Sequence, residues 1–200
     1  MDARSQTISR GRRLEYFTVA YNALEGLVSI VAGLMAGSVS LVGYGLDSAI
    51  EMTSGAALLW RLRHDGMDGA ERTALRIVGW CFIALGLYVA YESGAALILH
   101  KTPDKSVAGI VVAASSAVVM PLLAKAKRRV AGGIGSAAMM ADSRQADLCA
   151  YLSAILLVGL LLNATLGWWW ADPVAGLAMV PIILKEGTDG IRAKACGCHE

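Results

Sequence analysis

Long apolar runs alternate with short charged or turn-forming stretches along the whole sequence. Six such runs cover residues 17–35, 39–60, 77–99, 107–124, 148–171 and 173–184. A helix needs about 20 residues to cross a bilayer, so the fifth run is longer than one span requires and its end is expected to be loop. The sixth run is short and is expected to include Lys185 and the residues after it, because a lysine side chain can snorkel to the headgroups. The pattern predicts an all-α membrane protein with six transmembrane helices.

The composition supports this class of protein. The 200 residues are 56% hydrophobic and 17% charged, whereas soluble domains are roughly 45–50% apolar and 25% charged. The formal net charge of +2 is too small to indicate a nucleic-acid partner. We therefore expect a chain that is embedded in the lipid bilayer and does not bind nucleic acid.

The positions of Lys and Arg predict the orientation of the helices. With six spans, four segments lie on one side of the membrane: the N-terminus, 61–76, 125–135 and the C-terminus. The first three hold four Lys or Arg residues each, and the C-terminus holds three. The opposite loops hold two cations and three tryptophans that fit an interfacial aromatic belt, namely Lys101, Lys105, Trp168, Trp169 and Trp170. By the positive-inside rule, both termini are predicted to be cytoplasmic, in a multi-pass protein of the plasma (cell inner) membrane.

The same pattern divides the chain into three parts. Residues 1–16 form a basic cytoplasmic segment, residues 17–190 the six-helix membrane domain, and residues 191–200 a short cytoplasmic tail with Cys and His.

Two acids occur inside the second predicted span, where an ionisable side chain costs about 2.5–3.5 kcal/mol near the bilayer centre. Asp47 and Glu51 are four residues apart, which places both carboxylates on one helix face. No cation lies in that span. The pair would cost roughly 5–7 kcal/mol unless the carboxyls are protonated or bound to a cation.

Two further acids, Asp142 and Asp147, precede the fifth apolar run. If that helix begins near Gly135, Asp147 lies at a depth of roughly 18 Å, and Asp47 and Glu51 lie at roughly 20 and 14 Å from the same surface. We expect the three carboxylates to meet, and such a site can alternate between protons and a divalent cation, as in a cation/proton antiporter. In the alternative interpretation, Asp142 and Asp147 pair with Arg144 or cap helix ends near the headgroups.

These residues resemble those of the cation diffusion facilitators, in which a turn containing Gly-Ser leads into a second span with two metal ligands four residues apart. The resemblance covers about residues 14 to 190 and rests on Asn22, Gly37-Ser38-Val39-Ser40-Leu41, Gly45-Leu46-Asp47-Ser48-Ala49-Ile50-Glu51, Asp142 to Asp147, Asp172-Pro173 and Ala175-Gly176. It implies a homodimeric transporter that exports a divalent metal from the cytosol in exchange for protons. About 15 residues follow Lys185, whereas the family usually continues after the sixth span into a cytoplasmic domain, so we expect a chain that resembles a transmembrane-only branch of the family.

The resemblance also implies the metal ligands. They would be Asp47, Glu51 and Asp147, with Ser143 in the fourth position, where the family usually has His or Asp. Because a hydroxyl is a weak ligand, we expect the coordination to be completed by water or by an oxygen of Asp142, Glu25 or Tyr44. Asn22 and Glu25 lie on one face of the first span, and Glu25 is either a proton relay, an auxiliary ligand or a protonated acid bonded between helices. Cys149 faces about 160° away from Asp147 and is predicted, with Cys81, to pack in the core.

The identity of the metal rests on the donor atoms. An all-oxygen site suits a harder cation such as Mn²⁺, whereas three tail residues, Cys196, Cys198 and His199, could collect Zn²⁺ at the cytoplasmic mouth. We expect Zn²⁺ first, as the commonest substrate of the family, followed by Mn²⁺ or Fe²⁺. The metal is a substrate, and no prosthetic group is expected.

Two other functions are consistent with parts of the sequence. A non-transporting membrane metal sensor or adaptor would bind ions through the Cys/His tail. An intramembrane enzyme is disfavoured, because no His or Lys lies at depth in a span to activate a nucleophile.

Overall fold

A computed structural model describes residues 3–61, 68–135 and 137–192 of the chain. These residues form six α-helices and no strand: α1 (Ala3–Ala36), α2 (Val39–Arg61), α3 (Asp68–Ile98), α4 (Val107–Ile134), α5 (Ala137–Leu166) and α6 (Ala171–Ile191). The predicted all-α class with six helices is confirmed.

Several helices extend well beyond the apolar runs that predict them. α1 begins at Ala3, α3 begins at Asp68, and α4 continues through the basic residues 125–129 to Ile134. The charged residues at these ends do not terminate the helices, because their side chains can extend from the helix surface to water. α4 ends where Gly135 adopts the left-handed conformation (φ 67°) and its N–H bonds to the carbonyl of Ala131. The extension of α4 brings cations beside α5 that the sequence pattern places in a loop.

Four of the described helices are long and apolar enough to cross a membrane, namely those containing Ser9–Ala36, Arg76–Ile98, Val107–Gly133 and Asp142–Leu166. α2 lies in the centre of the same bundle, where it packs against α1, α3, α5 and α6. α2 and α6 carry three acids whose side chains are buried, Asp47, Glu51 and Asp172. The central position of α2 places its acids in the interior of the bundle.

The two ends of the bundle differ. At one end, which we call the tryptophan end, lie the α1–α2 turn, the α3–α4 loop and Trp168 to Trp170 before α6. Asp172 holds this end together, because its carboxylate accepts hydrogen bonds from the hydroxyls of Ser38 (2.6 Å) and Ser40 and from the N–H of Val39 (3.0 Å). The other end, which we call the basic end, contains Lys125, Lys127, Arg128 and Arg129 of α4.

α3 and α6 approach each other closely near the basic end. A Cβ added to Gly79 of α3 would lie 2.8 Å from the carbonyl oxygen of Gly187, and one added to Gly187 would lie 2.9 Å from that of Gly79. Only glycine permits this backbone contact. The contact fixes the position of Glu186, the residue before Gly187, relative to α3.

Candidate metal site

Asp47 and Glu51 are buried on one face of α2, with 3% and 7% of their surfaces exposed. Neither carboxylate forms a salt bridge within the part of the chain that the structure describes. Glu51 accepts a hydrogen bond from the side-chain amide of Asn22 (Nδ2 to Oε2, 3.0 Å). The expected cation-free acid pair in the second helix therefore exists in the fold.

A small cavity opens beside this pair. Its polar lining comes from α2, α5 and α6 and consists of Asp47, Glu51, Gln145, Cys149 and Glu186. Its apolar wall comes from α3, α5 and α6 and consists of Phe82, Leu148, Leu152, Ile182 and Ile183. An ion in this cavity would meet two carboxylates of α2, a third acid of α6 and the polar face of α5.

The structure does not place Asp147 in this cavity. Its carboxylate forms a two-point ion pair with Arg128 of α4, with distances of 2.6 Å (Oδ2 to Nη1) and 3.2 Å (Oδ1 to Nη2). Both side chains are partly exposed, Arg128 to 43% and Asp147 to 30%. The expectation that Asp147 meets Asp47 and Glu51 is therefore not met in this structure. A matching depth along the helix does not bring Asp147 to the two acids of α2, because α5 is rotated so that Asp147 faces α4.

Ser143 and Asp142 also have partners away from the cavity. Ser143 is buried and donates a hydrogen bond to the carbonyl of Met140 (2.7 Å). The carboxylate of Asp142 is bonded to the ammonium group of Lys127, which also lies 3.3 Å from Glu15. The cations that pair with Asp142 and Asp147 come from α4, so the alternative interpretation, in which they pair with Arg144, named the wrong cation; the side chain of Arg144 is exposed.

Cys149 and Gln145 occupy the position in the cavity that the resemblance to the cation diffusion facilitators assigns to Asp147 and Ser143. They are four residues apart and line the cavity together. The predicted offset of about 160° between Cys149 and Asp147 agrees with their different surroundings, but Cys149 lines the candidate site instead of only filling the core. Gln145 and Cys149 are four residues apart, as Asp47 and Glu51 are, but Ser143 and Asp147 have the same spacing, so the sequence does not distinguish the two pairs. Glu186 gave no signal, because it follows the sixth apolar run directly.

A hydrogen-bonded cluster connects the cavity with Glu25 of α1. Tyr44 donates to Glu25 (Oη to Oε1, 2.9 Å), and Ser48 donates to the other oxygen of the same carboxyl group (3.2 Å). The hydroxyl oxygen of Tyr44 also lies 3.5 Å from the sulfur of Cys149 and 2.7 Å from the hydroxyls of Ser116 and Ser153. Glu25 of α1 is thus hydrogen-bonded to two residues of α2. An acid bonded between helices is one of the three roles that the sequence leaves open for Glu25.

The remaining predicted ligands cannot be placed. Cys196, Cys198 and His199 lie outside the described residues, so the binding of metal by the tail stays a prediction. Within the described ranges, no three side chains of His, Cys, Asp or Glu are already gathered around one point that could hold a metal ion. Binding in the cavity therefore requires side chains to turn toward a common centre.

Comparison with known proteins identifies the family. The sequence matches the Cation efflux transmembrane domain over residues 16–194. The chain belongs to the cation efflux family. This confirms the resemblance to the cation diffusion facilitators, and it makes the chain a membrane transporter of cations.

Three relatives of this cation efflux chain show how widely the likeness extends. YdbO of Bacillus subtilis, an uncharacterized transporter, is 24% identical over 196 residues, which are 93% of this chain and 67% of YdbO. MneS of Bacillus subtilis, a manganese efflux system protein, is 23% identical over 198 residues, 93% of this chain and 67% of MneS. The transporter sll1263 of Synechocystis is 25% identical over 166 residues, 78% of this chain and 54% of that protein. The matches therefore span about half to two thirds of the relatives' own lengths.

Proposed function

We propose that this chain exports a divalent metal cation from the cytosol in exchange for protons, and that Asp47 and Glu51 form the centre of its binding site. The observation that carries the proposal is the buried pair of acids in a cavity between helices, with no salt bridge to a cation of the described chain. Family membership supports the transport of cations, and the cavity supports where the cation binds.

Electrostatics explains why such a site couples metal to protons. A buried ionised carboxylate is very costly unless a positive charge accompanies it. Protons satisfy that requirement when the cavity is empty, and a divalent ion satisfies it when the carboxylates have lost their protons, so metal binding releases protons. Each occupied state thereby excludes the other, which is the condition for exchange.

Zn²⁺ is the proposed first substrate, followed by Mn²⁺ or Fe²⁺. The manganese efflux protein among the relatives favours Mn²⁺, as does the carboxylate chemistry of Asp47 and Glu51. Zn²⁺ is retained first because carboxylates also bind zinc, at about 2.0–2.2 Å. A homodimer in the inner membrane, with both termini in the cytoplasm, remains part of the proposal.

The test uses purified protein in lipid vesicles with an acidic interior, to which Zn²⁺ or Mn²⁺ is added outside. We expect metal uptake accompanied by the release of protons, and we expect Asp47→Asn combined with Glu51→Gln to abolish it. Asp147→Asn is the matched control, because it removes an acid that pairs with Arg128 outside the cavity. Uptake that depends neither on the two α2 acids nor on the pH gradient contradicts the proposal.

A further inference from the structure

We propose that Cys149 is a ligand of the transported cation and that its sulfur gives the site a preference for Zn²⁺, Co²⁺ and Cd²⁺ over Mn²⁺. The inference rests on the proposed function and names the substrate class of the same site. The sulfur of Cys149 is a donor atom that the sequence alone predicts to pack in the apolar core.

The position of Cys149 carries the first step. Its thiol is free, only 1% of the residue is exposed, and it lines the cavity with Asp47 and Glu51. It lies beside the Glu51 carboxylate. Tyr44 holds the thiol from the other side, with 3.5 Å between the hydroxyl oxygen and the sulfur. The sulfur is thus fixed at the edge of the cavity that faces the two acids.

Two amide side chains near the acids have buried atoms without partners, Gln145 on the cavity wall and Asn22 of α1 beside Glu51. The Nε2 atom of Gln145, one helical turn from Cys149, is buried without a hydrogen-bond partner in the described chain. Asn22, whose surface is fully buried, donates to Glu51 but leaves its own Oδ1 without a protein partner. Buried polar atoms without partners cost free energy. A cation can supply the partner that the Asn22 oxygen lacks, whereas the Gln145 N–H group is a donor and needs an acceptor such as a carboxylate or a water bound to the metal.

The donor set then determines the class of metal. Two carboxylates and a thiolate supply three ligands, and the side-chain oxygen of Gln145 supplies a fourth when its amide group turns over. Hard oxygen donors alone suit Mn²⁺, whereas a thiolate selects for softer ions such as Zn²⁺. On binding, the S–H bond of Cys149 breaks, its proton leaves to water, and a metal–sulfur bond forms without any change of oxidation state. The thiol thereby contributes one further proton to those that the metal displaces from the carboxyl groups.

The test removes the other cysteines of the full chain by Cys81→Ser, Cys196→Ser and Cys198→Ser, so that Cys149 is the remaining thiol. X-ray absorption of this protein loaded with Zn²⁺ should show a sulfur neighbour at about 2.3 Å beside oxygen neighbours at about 2.0–2.2 Å. The further change Cys149→Ser should remove the sulfur shell and lower the ratio of Zn²⁺ to Mn²⁺ uptake by at least about tenfold, since even residues that only support ligands change metal affinity about 10–100-fold. The parent variant with three serines is the matched control for the uptake ratio.

The outcomes separate the two proposals. Zinc uptake that depends on Asp47, together with a spectrum of oxygen neighbours alone in the parent variant, overturns the role of Cys149 and leaves the proposed function standing. The absence of any metal uptake that depends on Asp47 overturns the proposed function and this inference with it. The parent spectrum decides the question even if Cys149→Ser fails to fold.

Discussion

The ion cluster at the basic end makes a sharp prediction about stability. Lys127 of α4 is fully buried and has two acidic partners, Glu15 of α1, which is also fully buried, and Asp142 of α5. Lys127→Met removes the cation and leaves both acids in the bundle without a counter-charge. Removing one partner of a buried ion pair costs about 3–5 kcal/mol. The unfolding equilibrium constant should therefore rise by roughly two to three and a half powers of ten, since about 1.4 kcal/mol is a factor of ten.

The neighbouring residue supplies a matched control. Arg128→Met also breaks an ion pair between α4 and α5, but the side chains of Arg128 and Asp147 are 43% and 30% exposed. Solvent screens such pairs, so the expected loss is about 0–1 kcal/mol. The two variants place the same new side chain at adjacent positions of one helix, and they differ in the burial of the charge that is removed.

The assay is denaturant unfolding in detergent micelles, followed by tryptophan fluorescence, for the two single variants and for Lys127→Met combined with Glu15→Gln. The double variant should recover part of the loss, because it removes the buried charge that Lys127→Met leaves unpaired. Equal losses in Lys127→Met and Arg128→Met, or a loss below about 1 kcal/mol in Lys127→Met, would refute the reasoning from burial.

Three further predictions use the same unfolding measurement. Asp47→Asn should stabilise the metal-free protein by about 0.5–2 kcal/mol while it abolishes metal uptake, because it removes a buried charge that only a proton or the substrate neutralises; a loss of stability contradicts this. Asp172→Ala should cost about 1–3 kcal/mol, because it leaves the Ser38 hydroxyl and its neighbours without an acceptor at the tryptophan end; Asp172→Asn, which keeps one acceptor, should cost less. Gly187→Ala should cost about 1–3 kcal/mol through overpacking against α3, whereas Gly94→Ala, where a new Cβ meets no atom within 4 Å, should be neutral or stabilising.

Much of the fold could be predicted from the sequence, because the apolar runs are long and their boundaries are marked by charges. The pair Asp47 and Glu51 could also be predicted, since no cation lies in their span and their spacing fixes a common face. The structure confirms the six helices and the burial of this pair.

The α5 side of the site could not be predicted, because it depends on the rotation of one helix against another. The apolar run of α4 stops at Ala124, but the helix continues to Ile134 and carries Lys127 and Arg128 along its surface. These cations pair with the acids that appear unpaired in the sequence, Asp142 and Asp147. The composition of a segment does not reveal whether its cations lie in a loop or on a helix beside another helix.

The contact between Gly79 and Gly187 has a consequence for how the cavity can open. Two helices whose backbones touch cannot rotate independently about their own axes without a collision of main-chain atoms. We therefore expect α3 and α6 to move together if the cavity opens. Phe82 of α3 and Glu186 of α6 line the same cavity, so such a movement would displace an apolar side chain and an acid from Asp47 together.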